Sequence, residues 1–228
     1  TVSEKGEKKR LILDLRYVNA RIWKERTKYE DWSIFQSYFS PGSYMFQFDF
    51  KSGYYHIEIF HEHVTYLGFS WTSGGVTETY CFCVLAYGLT SAGYIFTKVC
   101  RAPIKFWRAN GVKIVLYIDD GIGTAMSHET CLMHSRFVKS SLEKLGFVIN
   151  ATKSMWVPSQ TVTWLGLDID AENYLLKITE NRISKILGRL DSLCHADKCS
   201  PREMAAVAGG IVSLSIVIGN MTQLFPRR

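Results

Sequence analysis

The sequence predicts an α+β chain: short antiparallel strands packed with helices, followed by a helical appendage. Three observations carry this. Short alternating or β-branched runs recur with turn signals between them, at Ser73-Gly74-Gly75 and at Asp120-Gly121. Two longer stretches, 90–110 and 128–145, read as helices, each closed by a glycine. After residue 178 the strand pattern stops and apolar residues recur at helical spacing.

Taken in order, residues 1–10 are polar and contain glycine, as a loop or terminus does. Residues 11–18 alternate loosely, with Leu11, Leu13 and Leu15 on one face, and predict a strand. Residues 20–43 have no clear period and end in the turn signal Ser40-Pro41-Gly42. Residues 44–50 are aromatic and alternating, a strand that delivers Asp49 near its end, and 54–60 continues as an extended run. A hairpin is expected between 66–71 and 77–84. Thr90 or Ser91 can cap the helix that stops at Asn110-Gly111. Strands are expected at 113–118 and 121–125, then at 147–149, 154–157 and 162–169. In the tail, Ile183, Ile186, Leu187, Leu190 and Leu193 mark an amphipathic helix, and Ser200-Pro201-Arg202-Glu203 is a capping box with proline at the first helical position.

Composition narrows the classes. With 228 residues, 47% hydrophobic, 21% charged and 5 prolines, the chain can bury a core and is neither disordered nor collagen-like. The six cysteines include no C-x-x-C pair and follow no secretory signal, which predicts reduced, mostly buried thiols in an intracellular setting, cytoplasm or nucleus. Cys81 and Cys83 read as small core residues, and His61-Glu62-His63 as exposed rather than metal-binding. The longest apolar stretch, 205–219, is short for a membrane span and is broken by glycine and serine. Of the net charge of +6, residues 1–30 supply nine cations against five acids, a bias that suits a polyanionic partner as well as a solubilising surface.

The chemistry centres on 113–125, KIVLYIDDGIGTA, where an apolar strand runs into Asp119 and Asp120. Adjacent carboxylates at a turn repel, and a divalent cation is the usual resolution; the plain alternative is a surface Asp-Gly hairpin. Asp49 also ends an apolar strand. If the 44–50 strand pairs beside 113–118, three carboxylates come together. Such a set suits two Mg²⁺ ions, one activating a 3′-hydroxyl and the other holding a triphosphate and its leaving oxygen.

Six segments in order, RLILDLRYVN, FDFKSGYYHI, CFCVLAYGLTSAGYIFTK, YIDD, LGFVINATKS and VTWLGLDI, resemble the motifs of retroelement reverse transcriptase domains over nearly the whole chain. TYLGFSW and KFWRANGV lean towards DIRS-like or other long-terminal-repeat elements. The resemblance implies a right-hand polymerase: fingers in 1–48, a palm in 49–177 with an inserted fingers segment at about 60–85, and the start of a helical thumb in 178–228. It implies Asp49, Asp119 and Asp120 as metal carboxylates for two Mg²⁺ ions, with Mn²⁺ able to substitute, and Lys153 as the acid that protonates the leaving pyrophosphate. Arg10 would grip the triphosphate, Tyr54 would act as the steric gate that selects deoxynucleotides, Phe50, Tyr87 and Gly88 would line the nucleotide site, and Trp164, Leu165 and Gly166 would grip the primer. Expected partners are an RNA or DNA template–primer duplex and dNTPs, with RNase H, recombinase or integrase domains of a longer polyprotein absent from this chain.

The match frays in one place. The family commonly carries prolines where this chain has Ala86 and Gly93, and phenylalanine at Tyr87. Those departures keep open an impaired or domesticated nucleic-acid-binding scaffold with the same fold. A metal-dependent nuclease would use the same acids but explains neither Tyr54 nor Arg10.

Overall fold

The structure is a computed structural model and describes residues 2–5, 8–196 and 198–218, with side chains described from residue 11 onward. In chain order its elements are β1 (Val2–Lys5), β2 (Lys8–Leu11), α1 (Arg16–Asn19), α2 (Trp32–Tyr38), β3 (Tyr44–Asp49), β4 (Gly68–Ser73), β5 (Val76–Cys81), α3 (Ala92–Ala109), β6 (Lys113–Tyr117), β7 (Asp120–Ala125), α4 (His128–Lys144), β8 (Met155–Ser159), β9 (Thr161–Trp164), β10 (Leu167–Asp170), β11 (Leu175–Ile178), α5 (Glu180–Cys194), α6 (Pro201–Val212) and α7 (Ser215–Ile218). Two 3-10 turns, Gly53–His56 and His61–Leu67, lie between β3 and β4.

The centre is an antiparallel sheet in the order β6-β7-β3-β8. Its two faces follow from strand alternation. Phe46 and Phe48 of β3 and Ile114 and Leu116 of β6 point to one face, where α3 (Phe96, Cys100, Ile104, Trp107) and α4 (Cys131, Val138, Leu142) close one core. Met45, Val115 and Ile122 point to the other face and pack with Trp32 and Phe35 of α2 and with Val162, Trp164, Leu167 and Ile169 of the β11-β10-β9 sheet. Asp49 and Asp120 follow the same alternation and end on this second face, opposite α3 and α4.

Gly121 and Gly123 of β7 lie directly under the rings of Phe48 and Phe46, and a Cβ at either would strike them. The Asp-Gly pair is therefore not the hairpin turn. Tyr117 pairs with Asp120, so the turn is Ile118-Asp119, with Ile118 at φ 56°. Glycine at 121 serves cross-strand packing, and Asp120 is a strand residue. The expected neighbour of 44–50 also changes: β3 pairs with β7, and β6 lies beyond it.

Other expectations are redrawn. Residues 11–18 divide between β2 and α1, with Leu13 and Leu15 still buried together against Leu67 and Ala86. The turn begins where Asp14 takes the Arg16 guanidinium at 2.6 Å, a contact that lowers the Asp14 carboxyl to about 2. Residues 54–60 are not a continuous strand, because Ser52 takes a left-handed φ of 57° and starts a 3-10 turn. Residues 147–149 supply only the Phe50–Ile149 bridge, and 162–169 folds as a hairpin of β9 and β10. The β4–β5 hairpin forms on Gly74 and Gly75, both at positive φ, and the Ser200–Glu203 capping box closes α6 as read. Cys81 and Cys83 are exposed, with Cys194 and Cys199; only Cys100 and Cys131 are buried, so the thiols are mostly not core residues. No described helix is long and apolar enough to cross a membrane.

Candidate active site

The sheet register brings the acids together. Asp49 pairs with Asp120 across β3 and β7, and the Phe50 amide donates to the Asp119 carbonyl at 3.0 Å. The strands thus lock the Ile118-Asp119 turn against the end of β3. Asp49 is 5% exposed. Its Oδ1 accepts from Asn150 Nδ2 at 2.9 Å and its Oδ2 from Lys153 Nζ at 2.8 Å, while its backbone amide donates to Ser154 Oγ at 3.0 Å. The loop between α4 and β8 is therefore folded onto one carboxylate.

Burial pushes the Asp120 carboxyl up to about 7, with the Asp119 and Asp49 charges and a hydrogen bond to Asp49 adding to it; Lys153 offsets part. The Lys153 ammonium is raised as well, held protonated above all by its hydrogen bond to Asp49. The cluster holds more negative charge than its own cation neutralises. Among the described residues, no group of three or more Asp, Glu, His or Cys side chains is set to hold a metal ion, and Asp49 is engaged with Lys153. The donor chemistry, crowded carboxylate oxygens short of positive charge, nevertheless suits a hard divalent cation.

After Asp49 the chain turns sharply through Ser52 and Gly53, and Gly53 abuts the Phe96 ring, with a would-be Cβ 2.9 Å from it. This sets Tyr54 between Phe96 and Tyr87, ring centroids 5.6 and 5.3 Å away, half-buried beside the acids. Burial raises its phenol, with Tyr29 and Asp119 contributing. Phe50 points elsewhere: its ring is 2% exposed and stacks on Phe147 at 4.8 Å, so only its backbone faces the site. Gly88 is at φ 103°, and a Cβ there would meet the Leu13 carbonyl at 2.6 Å. The close approach it permits is that of the chain's own backbone. Asn19 then fastens this loop, donating to the Gly88 carbonyl at 2.8 Å and accepting from the Thr90 amide at 2.9 Å. Arg10 is placed on β2 opposite Ser3, and its side chain lies outside the described residues.

Trp164 is buried against Trp32 and Phe35, and Leu165 and Gly166, both at positive φ, turn β9 into β10. A cleft of about 310 Å³ runs from Asp120 and Lys153 past Gln47 and Thr152 to Trp164 and Leu165. Asp120, Lys153 and the Trp164-Leu165 corner thus line one space. Arg182 secures the hairpin, donating from Nη1 to the Leu165 carbonyl at 3.0 Å and from Nη2 to the Ser213 carbonyl at 3.1 Å. Asn19, Asn150, Ser154 and Arg182 were not singled out from sequence. The first three fall inside or at the edge of the quoted motifs, which was the available signal.

Comparison with known proteins gives the family and the fold. The family model described as reverse transcriptase (RNA-dependent DNA polymerase) matches residues 2–169, most of the chain. The chain belongs to that family. A solved foamy viral protease–reverse transcriptase in complex with double-stranded DNA superposes with TM-score 0.72 at 19% identity, over 93% of this chain and 35% of that one. The foamy viral protease–reverse transcriptase in complex with an RNA/DNA hybrid gives TM-score 0.70 at 19% identity, over 93% and 27%. This chain therefore spans about a third of the length of those structures, and at such identity they establish the fold. No curated protein matches the sequence.

Proposed function

We propose that the chain is an RNA-directed DNA polymerase that extends a primer with deoxynucleoside triphosphates on an RNA or DNA template. The observation that carries the reading is the crowding of Asp49, Asp119 and Asp120 with Lys153, where Asp120 and Lys153 line the same cleft as Trp164 and Leu165. Family membership and the duplexes bound by the foamy viral structures support it.

In this reading Asp49, Asp119 and Asp120 hold two Mg²⁺ ions, which when bound lower the pKa of a primer 3′-hydroxyl and neutralise triphosphate charge. The chain's own residues do the rest. Lys153 keeps its proton at neutral pH and supplies it to the departing pyrophosphate. Asn150 and Ser154 hold Asp49 in one rotamer and one backbone position. Tyr54, with its ring fixed by Phe96 and Tyr87, bars a 2′-hydroxyl. The hairpin at Trp164, Leu165 and Gly166 supports the primer end, and Arg10 serves the triphosphate. Residues 1–48 with the insert near 60–85 act as fingers, 49–177 as palm and 178–228 as the beginning of a thumb. Further polyprotein domains, RNase H, recombinase or integrase, complete the working element.

Ala86 packs in a buried cluster with Leu13, Leu15 and Leu67, so that departure leaves no packing defect in the loop. The test is primer extension on an RNA template with dNTPs and Mg²⁺ beside Asp119→Asn. Extension in the wild type that Asp119→Asn abolishes is expected; extension in neither, with duplex binding intact, would favour the scaffold.

A further inference from the structure

Segment 20–31 has no period and belongs to none of the quoted motifs, yet it is firmly held. Glu30 accepts from Arg108 at 2.8 and 2.6 Å, and from the Leu116 amide at 3.4 Å on the free edge of β6. Arg108 in turn donates to the Ile114 carbonyl at 2.6 Å. One residue later Asp31 caps α2 by accepting from the Ser33 amide. Between the motif-bearing elements, this clamp fixes the half-buried Tyr29.

Tyr29 reaches two parts of the site. Its ring lies against Tyr117, the residue that leads into the Ile118-Asp119 turn, with centroids 5.7 Å apart. Its hydroxyl occupies the space beside Gly93 at the start of α3: a Cβ at Gly93 would lie 2.5 Å from Tyr29 Oη and 3.4 Å from Tyr54 Oη. The two phenols converge on the one spot that Gly93 leaves vacant. A proline there, as the family commonly carries, would bring its Cβ to 2.5 Å from the Tyr29 hydroxyl, too close for both to stay in place. The missing proline and the tyrosine are thus two halves of one arrangement.

We propose that Tyr29 is a positioning residue for Tyr54, setting discrimination between deoxynucleotides and ribonucleotides, and that Gly93 is glycine in order to admit it. The inference rests on the polymerase reading. Tyr29 itself need not touch the nucleotide. It acts by backing the far end of the Tyr54 side chain while Phe96 and Tyr87 hold the ring. A gate displaced by a fraction of an ångström admits the 2′-hydroxyl it should exclude.

The experiment is the ratio of kcat/KM for a dNTP to that for the matching rNTP, by single-nucleotide addition, in wild type, Tyr29→Phe, Tyr29→Leu, Gly93→Ala and the Gly93→Ala/Tyr29→Phe double variant, with Tm measured for each. Gly93→Ala and Tyr29→Leu should each lower the ratio by about tenfold. The double variant should return to the Tyr29→Phe value, because the oxygen that the new Cβ meets is gone; such non-additivity marks direct coupling. A merely structural role would lower Tm and slow both nucleotides alike, leaving the ratio unmoved. That result, or strict additivity, would overturn the inference while leaving the polymerase intact. If Gly93→Ala does not fold, the Tyr29→Leu ratio decides alone. No addition of either nucleotide by the wild type would instead overturn the polymerase reading and this inference with it.

Discussion

At the scale of single residues, the site is governed by an excess of buried negative charge. Asp120 has its carboxyl raised to about 7 by burial and by Asp119 and Asp49. An acid whose folded pKa lies above its unfolded one binds more protons folded than unfolded, so it destabilises the fold as pH rises through that window. In metal-free protein, Asp120→Asn should therefore raise Tm by roughly 2–4 °C at pH 8 and leave it unchanged near pH 4, as thermal unfolding in chelator would show. A uniform shift at both pH values would contradict this origin. Lys153 is the cation that tempers the cluster, and it competes with any bound cation for the Asp49 carboxylate. Lys153→Met should tighten Mg²⁺ binding, read as a larger Tm rise on adding Mg²⁺, while slowing nucleotide addition by about 10²-fold. Loss of both would mean that the lysine holds the site together rather than supplying a proton.

At the scale of elements, strand alternation decides which face carries chemistry. Phe46 and Phe48 fill the helix side because Gly121 and Gly123 make room beneath them, which leaves Asp49 and Asp120 together on the other side. Gly121→Ala should cost about 1–3 kcal/mol by overpacking Phe48, measurable by denaturant unfolding. The hairpin after β9 depends on Arg182, whose guanidinium spans two carbonyls on different elements. Lysine cannot make both bonds, so Arg182→Lys should speed hydrogen exchange at the Thr179 amide, which donates to the Gly166 carbonyl. Unchanged exchange would remove Arg182 from the account of the hairpin. These elements were unequally legible. Asp49, Asp119 and Asp120 could be read because acids at the ends of apolar strands are unusual. The Asp120-Gly121 signal was misplaced by one step because glycine is demanded both by turns and by large cross-strand neighbours, and only the register separates the two. Residues 54–60 alternate like a strand, but Ser52 and Gly53 turn the chain before it can extend.

Across the whole molecule, residues far apart in sequence meet at the site, and that is where sequence reading fails. Tyr29 and Arg182 carry no local signature; each acquires meaning only when Gly93 or Leu165 is folded against it. The general architecture was legible for the opposite reason, since six motifs in a fixed order constrain one another. Cys81 and Cys83 were misread as core because they lie on or beside the exposed β4–β5 hairpin, which packs few side chains. The central claim is that one charge-crowded cluster, at the end of β3, on the β6–β7 turn and at the start of β7, performs nucleotide transfer. Its most direct test is the rate of single dNTP addition to a primer on an RNA template, measured for wild type and Asp49→Asn with duplex affinity determined in parallel. The account predicts a loss of at least about 10³-fold in rate with affinity nearly unchanged; equal rates in the two proteins would contradict it.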